Sequence, residues 1–165
     1  MSVMKKLSKL SRKVKTFLNL KPSDKKLLME AFINTALARI LILVVKFNKL
    51  QKMIGEYKEE SPYIVDEKQY PIITKIAWAI NIVSHNTPWQ SRCFVQAITA
   101  QRMLEKRNIS STVYFGVNKD KENNITAHAW TRCGNVIVTG NREKNAYTTV
   151  AWFSNCKQIR REVVQ

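Results

Sequence analysis

The chain has 165 residues, 45% hydrophobic and 24% charged, which fits one globular domain with a real core and excludes two ordinary ones. Its 28 Lys and Arg against 12 Asp and Glu give a formal charge of +16, so its surface favours polyanions, anionic membrane or acidic peptides. Four glycines argue against Gly-rich phosphate loops, and three cysteines with no CxxC pair argue against a zinc site or a disulfide framework.

Residues 1–20 read as a basic amphipathic arm, with Val3, Leu7, Leu10, Val14 and Phe17 or Leu18 at helical spacing between lysines. Basic residues punctuate this stretch and no apolar core precedes a cleavage site, so no signal peptide is expected. Together with free thiols, that points to a reducing cytoplasm. Pro22-Ser23-Asp24 signals a helix from Asp24 to about Val45 or Phe47, capped by Ser23 or Asp24. Its apolar face includes Leu28, Phe32, Leu37, Ile40, Leu41 and Val44. The unbroken run Ile40–Val45, bracketed by Arg39 and Lys46, is far shorter than the about 20 residues a spanning helix needs. The segment is therefore expected to be buried, with a helix resting on anionic lipid as the alternative.

Residues 1–55 form the helical N-terminal region, closed by a short continuation from Phe47 to Ile54. Residues 56–70 are rich in acids (Glu56, Glu59, Glu60, Asp66, Glu67) and read as a linker. The core spans 71–156 and a polar tail 157–165, the whole forming one compact unit. Pro71 opens a helix to about Ser84, with Ile73, Ile76, Ala77, Ile80 and Val83 inward. His85-Asn-Thr-Pro88 breaks it. A second helix then begins at Thr87-Pro88 and runs to about Arg107, with Thr87 or Ser91 as its cap and Cys93, Ala97, Ala100 and Leu104 inward. Beyond Asn108 the period falls from about 3.6 to 2. Ser111–Val117, Ile125–Arg132, Val136–Thr139 and Ala146–Phe153 are expected strands, with Gly134-Asn135 as a hairpin turn.

A thiol in the first turn of a helix sits at the positive end of the helix dipole, which favours negative charge there, and the thiolate is the nucleophile. Taken alone, Cys93 reads more simply as a small residue packed under a helix. A nucleophilic cysteine needs a base, and the chain has two histidines. His85 reads as an exposed turn residue. His128 lies mid-strand between Ala127 and Ala129, which point to the opposite face, and it shares its own face with Trp130. A cysteine opening a helix, followed by an antiparallel sheet carrying a histidine, is the geometry of papain-like and transglutaminase-like folds.

Trp89-Gln-Ser-Arg-Cys93-Phe-Val-Gln-Ala97, Arg102-Met-Leu104, Tyr114-Phe-Gly-Val117, Ala127-His-Ala-Trp130 and Val138-Thr-Gly140, in that order, resemble the lasso peptide biosynthesis B2 proteins of the transglutaminase-like superfamily. Pro22-Ser-Asp-Lys-Lys-Leu-Leu, Ala36-Leu-Ala-Arg-Ile and Ile76-Ala77 ahead of Pro88-Trp89 extend the resemblance over nearly the whole chain. It implies an α+β fold, with a helical N-terminal half packed on a transglutaminase-like core. It also implies a cysteine peptidase that cuts a leader from a lasso precursor, with Cys93 as nucleophile and His128 as base, needing no cofactor or metal. The partners implied are the precursor's leader region, a separate B1 leader-recognition protein and the lasso cyclase.

The family's pattern puts an aspartate about a dozen residues after the histidine, yet nothing acidic lies between Glu122 and Glu143. Asn141 is the first candidate to orient His128, with Thr139, Asn135 or a backbone carbonyl as others. Trp89 and Trp130 are expected to line the substrate groove or simply to pack. Cys133 and Cys156 are expected to be structural. A non-catalytic peptide-binding module of the same fold is the alternative reading. A basic nucleic-acid or membrane-surface binder is another, but no zinc-finger spacing, RNP motif or GxxG loop supports nucleic acid.

Overall fold

A computed structural model describes residues 15–120, 122–142 and 144–156. Most of the basic arm and all of the 157–165 tail lie outside them. Helix α1 spans Pro22–Val44. Proline opens it because a missing N–H costs nothing in the first turn. No side chain caps it, contrary to the expected Ser23 or Asp24 cap; Asp24 instead takes Lys75 Nζ at 2.7 Å. Val45 and Lys46 turn extended, so α2 (Phe47–Ile54) is a separate helix rather than a continuation. Helix α3 spans Tyr70–Ser84 and α4 spans Cys93–Glu105.

Among the described residues, five strands form one antiparallel sheet in the order β1-β5-β2-β3-β4. They are β1 Glu56–Tyr57, β2 Thr112–Lys119, β3 Ile125–Cys133, β4 Val136–Thr139 and β5 Thr148–Ser154. The fold is thus helix plus antiparallel sheet, as the periodicities predict. The expected linker is more than a connector, because Glu56–Tyr57 supplies an edge strand of the sheet. Gly55 permits that pairing: a Cβ there would stand 2.2 Å from the Ser154 carbonyl oxygen.

Among the described residues, the α-helices pack on one face of the sheet. Cross-strand partners share a face, so Val113, Phe115, Ala129, Thr131 and Phe153 stand together, and Thr131 Oγ1 donates to the Ala97 carbonyl at 3.2 Å. Two apolar clusters fill this side. Ile73, Ile76, Ile80, Met103 and Leu104 pack with Cys133 and Val138. Val95, Ala97 and Ile98 pack with Val113, Ala129 and Phe153. Each fully buried Ile or Leu here stabilises the fold by about 1.5–3 kcal/mol.

The Ile40–Val45 run departs from its expected burial. Helix α1 buries the small-residue stripe Leu28, Ala31, Thr35 and Ala38, while Ile40, Leu43 and Val44 are 53%, 66% and 70% exposed. Small residues let α1 pack on α3 and α4, Leu41, Ile42 and Val45 pack partly buried against the core, and Ile40, Leu43 and Val44 are turned outward.

The other sheet face carries Thr112, Tyr114, His128, Trp130 and Arg132. It is covered by irregular chain. The 58–65 segment crosses it, bound through Ser61 N–H to Thr112 Oγ1 at 2.8 Å and through Arg132 to the Ser61 carbonyl at 2.8 Å and Glu60 at 3.1 Å. The Tyr63 ring covers the Arg132 guanidinium at 3.8 Å. Arg132 also donates to Tyr114 Oη at 2.9 Å and to the Gly134 carbonyl at 2.9 Å. Burial pushes the Tyr114 hydroxyl up to about 12, opposed by that guanidinium, so it stays protonated and able to donate.

Candidate active site

Cys93 is the first residue of α4 and is half-buried. The helix starts here, not at Thr87-Pro88. Its lead-in folds on itself, with Thr87 Oγ1 and Ser91 Oγ 2.8 Å apart, so neither hydroxyl caps the helix. The first backbone bond at this end runs from Gln96 N–H to the Arg92 carbonyl at 3.0 Å. The N–H groups of Cys93, Phe94 and Val95 therefore have no helical acceptor, as first-turn donors do not. Ala97, Ala100 and Leu104 are fully buried as expected, and Cys93 ends the stripe where cover thins. Phe94 packs edge-on to Phe115 at 5.1 Å, which sets this end of α4 over the helix-facing side of β2.

His128 is buried, with 7% of its surface exposed. It stands on the opposite face of β3, flanked by Ala127 and Ala129 on the helix side. Trp130 stacks on it at 5.9 Å and 24°, as their shared face predicts, and Tyr147 lies against it at 5.0 Å. Among the described residues no hydrogen bond joins Cys93 Sγ to the imidazole. The sheet lies between the two sequence-predicted residues.

His128 Nε2 is 3.0 Å from the Gly140 carbonyl oxygen. A carbonyl only accepts, so Nε2 carries the proton, and in the neutral ring Nδ1 keeps its lone pair. The residue that meets the ring lies twelve positions after it, at the spacing of the family's aspartate, and contributes its backbone instead of a side chain. Gly140 has φ +75°, and a Cβ there would fall 2.7 Å from Trp130 Cβ, 2.8 Å from the Ala129 carbonyl and 3.0 Å from His128 Nε2. Asn141 is exposed, and its side chain makes no hydrogen bond to the ring among the described residues. Thr139 points its buried Oγ1 at no partner among the described residues, and Asn135 is exposed. Of the four orienting groups foreseen, the structure selects the backbone carbonyl.

The two tryptophans separate. Trp130 is buried between the His128 ring and Tyr114, whose ring it stacks on at 5.6 Å and 8°. Trp89 packs on Phe32 of α1 at 4.9 Å. Burial pushes the Cys133 thiol up to about 11, and its Sγ lies 3.3 Å from the Ser110 carbonyl, so it is a packed core group. His85 closes α3, exposed, with Nδ1 donating to the Asn81 carbonyl at 2.7 Å. Among the described residues no group of three or more His, Cys, Asp or Glu is placed to hold a metal ion. Gly140, which closes the Val138-Thr-Gly140 motif, and Tyr147, which lies in no motif, both lie beside the imidazole. The signal for Gly140 is indirect: an interval with no acid admits a backbone carbonyl as well as the side chains of Asn135, Thr139 and Asn141.

Set against known proteins, residues 38–152 match the family model described as the transglutaminase-like superfamily. No curated protein and no solved structure gives a match.

Proposed function

Because this chain belongs to the transglutaminase-like superfamily, we propose that it is a cytoplasmic cysteine peptidase that removes the leader from a lasso peptide precursor. The observation that carries the reading is a half-exposed cysteine as first residue of α4 in a transglutaminase-like core whose β3 bears a histidine. Cys93 Sγ gives its proton to the His128 imidazole and attacks the scissile carbonyl carbon, and the first-turn N–H groups of α4 receive the developing oxyanion. The C–N bond breaks, and His128 protonates the leaving amine. Water then cleaves the thioester, leaving a carboxylate on the leader and a free amine on the core. A separate B1 protein presents the leader, and a cyclase consumes the freed core. The +16 surface suits an acidic leader or an acidic B1 face.

The reading includes one rearrangement. The β3–β4 ladder stops at the Thr131–Thr139 pair, and beyond it Gly140 lies against Ala129 and Trp130 with its carbonyl on His128 Nε2. On peptide binding the His128 stretch of β3 turns over, releasing the imidazole from Gly140 and Tyr147 and bringing it to the thiol. Catalytic hydrogen bonds are often unformed before substrate binds.

The test is incubation with a candidate precursor, with and without a leader-recognition protein, followed by mass spectrometry. The wild type yields leader and core fragments, and Cys93→Ala yields neither while keeping its fold. Cleavage by a clean Cys93→Ala preparation overturns the mechanism.

One observation favours a second reading, a non-catalytic peptide-binding module: Cys93 and His128 lie on opposite faces of the sheet. Alkylation separates the two. A peptidase alkylates at Cys93 at least about tenfold faster than at Cys156, which is equally half-buried, and Cys133 stays protected. A non-catalytic module shows no excess at Cys93 over Cys156.

A further inference from the structure

Helix α1 presents a stripe of uncovered aliphatic side chains. Met29, Ile33, Leu37, Ile40 and Val44 recur every three or four residues at 53%, 52%, 41%, 53% and 70% exposure, with Leu43 beside them at 66%. The most apolar eighteen residues of α1 have a mean hydropathy of 1.9, and only 22% of them are buried. An apolar patch this continuous marks an interaction surface.

The charges around the stripe identify what it meets. Exposed Lys21 and Lys26 stand at one end of α1, and exposed Lys46, Lys49 and Lys52 stand beyond the other. The acids of α1 are turned away and neutralised. Glu30 is gripped by Arg107 at 2.7 and 3.0 Å, with Lys106 at 3.6 Å. Asp24 holds Lys75. The outward face is therefore a run of aliphatics about 23 Å long, from Met29 to Val44, with cations at both ends and, among the described residues, no unpaired acid.

We propose that α1 lies flat on an anionic lipid bilayer, its aliphatic stripe in the acyl boundary and the flanking lysines among the headgroups. It lies on the membrane and does not cross it. Leu28, Ala31, Thr35 and Ala38 on its other face are locked into the helix-facing core, and the domain would unfold to release them. The proposal stands independently of the peptidase reading, because it rests on none of the site residues.

The test is flotation of the full chain with vesicles of phosphatidylcholine alone and of phosphatidylcholine mixed with phosphatidylglycerol. The expected result is at least about tenfold stronger binding to the anionic vesicles, weakened as salt rises from about 0.1 M to about 0.5 M. Ile33→Gln/Leu43→Gln, which leaves the charge unchanged, lowers that binding about tenfold or more, whereas Ile33→Phe/Leu43→Phe keeps it. Circular dichroism verifies that both variants fold. Three outcomes overturn the proposal: no binding to anionic vesicles, undiminished binding by the Gln variant, or a dimer in sedimentation velocity that the Gln variant dissolves. The second means charge alone, and the third means that a second copy covers the stripe.

Discussion

On the helix-facing side of the sheet, Val113, Ala129 and Phe153 meet Val95, Ala97 and Ile98 in a close-packed apolar layer. On the other side, Tyr114, Trp130 and Arg132 meet chain with almost no regular structure, held by a handful of directed bonds. The first side draws its stability from area and tolerates changes of detail. The second depends on single groups, so one substitution there undoes a whole covering segment. Cys93 belongs to the first side and His128 to the second. The cysteine is placed by helix packing. The histidine is held, among the described residues, by the Gly140 carbonyl and the rings of Trp130 and Tyr147.

The largest expected effect comes from removing the keystone of the outer face. Arg132→Met strands the Tyr114 hydroxyl and the carbonyls of Ser61 and Gly134. It should cost about 3 kcal/mol or more, lowering Tm by about 6–12 °C. The 58–65 segment should then become the first site of proteolysis. A variant as stable as wild type, with that segment still protected, would mean that apolar contacts alone hold the outer face.

Gly140→Ala sharpens the comparison at the histidine. The left-handed φ and the close Trp130, Ala129 and His128 atoms make a Cβ costly, by about 1–3 kcal/mol. The carbonyl must shift from Nε2, so precursor cleavage should fall further than stability alone explains. Normal cleavage by a folded Gly140→Ala protein would remove the carbonyl from its orienting role.

The smallest effect lies on the helical side. Hydrogen bonding from Arg107 holds the Glu30 carboxyl below the usual carboxylate range, against burial, and the charges of Arg107 and Lys106 act in the same direction. A carboxyl lowered on folding contributes stability above its unfolded value, and loses it as pH falls through the folded one. Glu30→Gln should therefore cost up to about 1 kcal/mol at neutral pH. That difference should vanish in acid, which paired melting curves across the acid range would show. An equal difference at every pH would mean that shape, not charge, matters at this site.

Much of the helix-facing side is legible in the sequence, because periodicity reports burial. Ala97, Ala100 and Leu104 sit where a 3.6-residue period puts them, and His128 and Trp130 share a face because strands alternate. The start of α4 was harder to place, because Pro88 and Thr87 carry helix-start chemistry but spend it on the Thr87–Ser91 turn. The exposure of Ile40, Leu43 and Val44 is invisible to composition, which records how apolar a residue is but not which side of a helix finds a partner. The carbonyl on His128 is equally hidden, since every residue has one and only the path of the chain decides which is in reach. The face that α4 chooses is a tertiary choice too, and it sets Cys93 and His128 on opposite sides of the sheet.

The central claim is that these two residues nevertheless act as one unit when a precursor binds. Single-turnover cleavage by wild type, Cys93→Ala, His128→Gln and the double variant tests it, with melting curves to confirm each fold. The account predicts that either single change brings cleavage down to the same background and that the double variant falls no lower, as for groups that work together. Cleavage retained by a well-folded His128→Gln protein would contradict it.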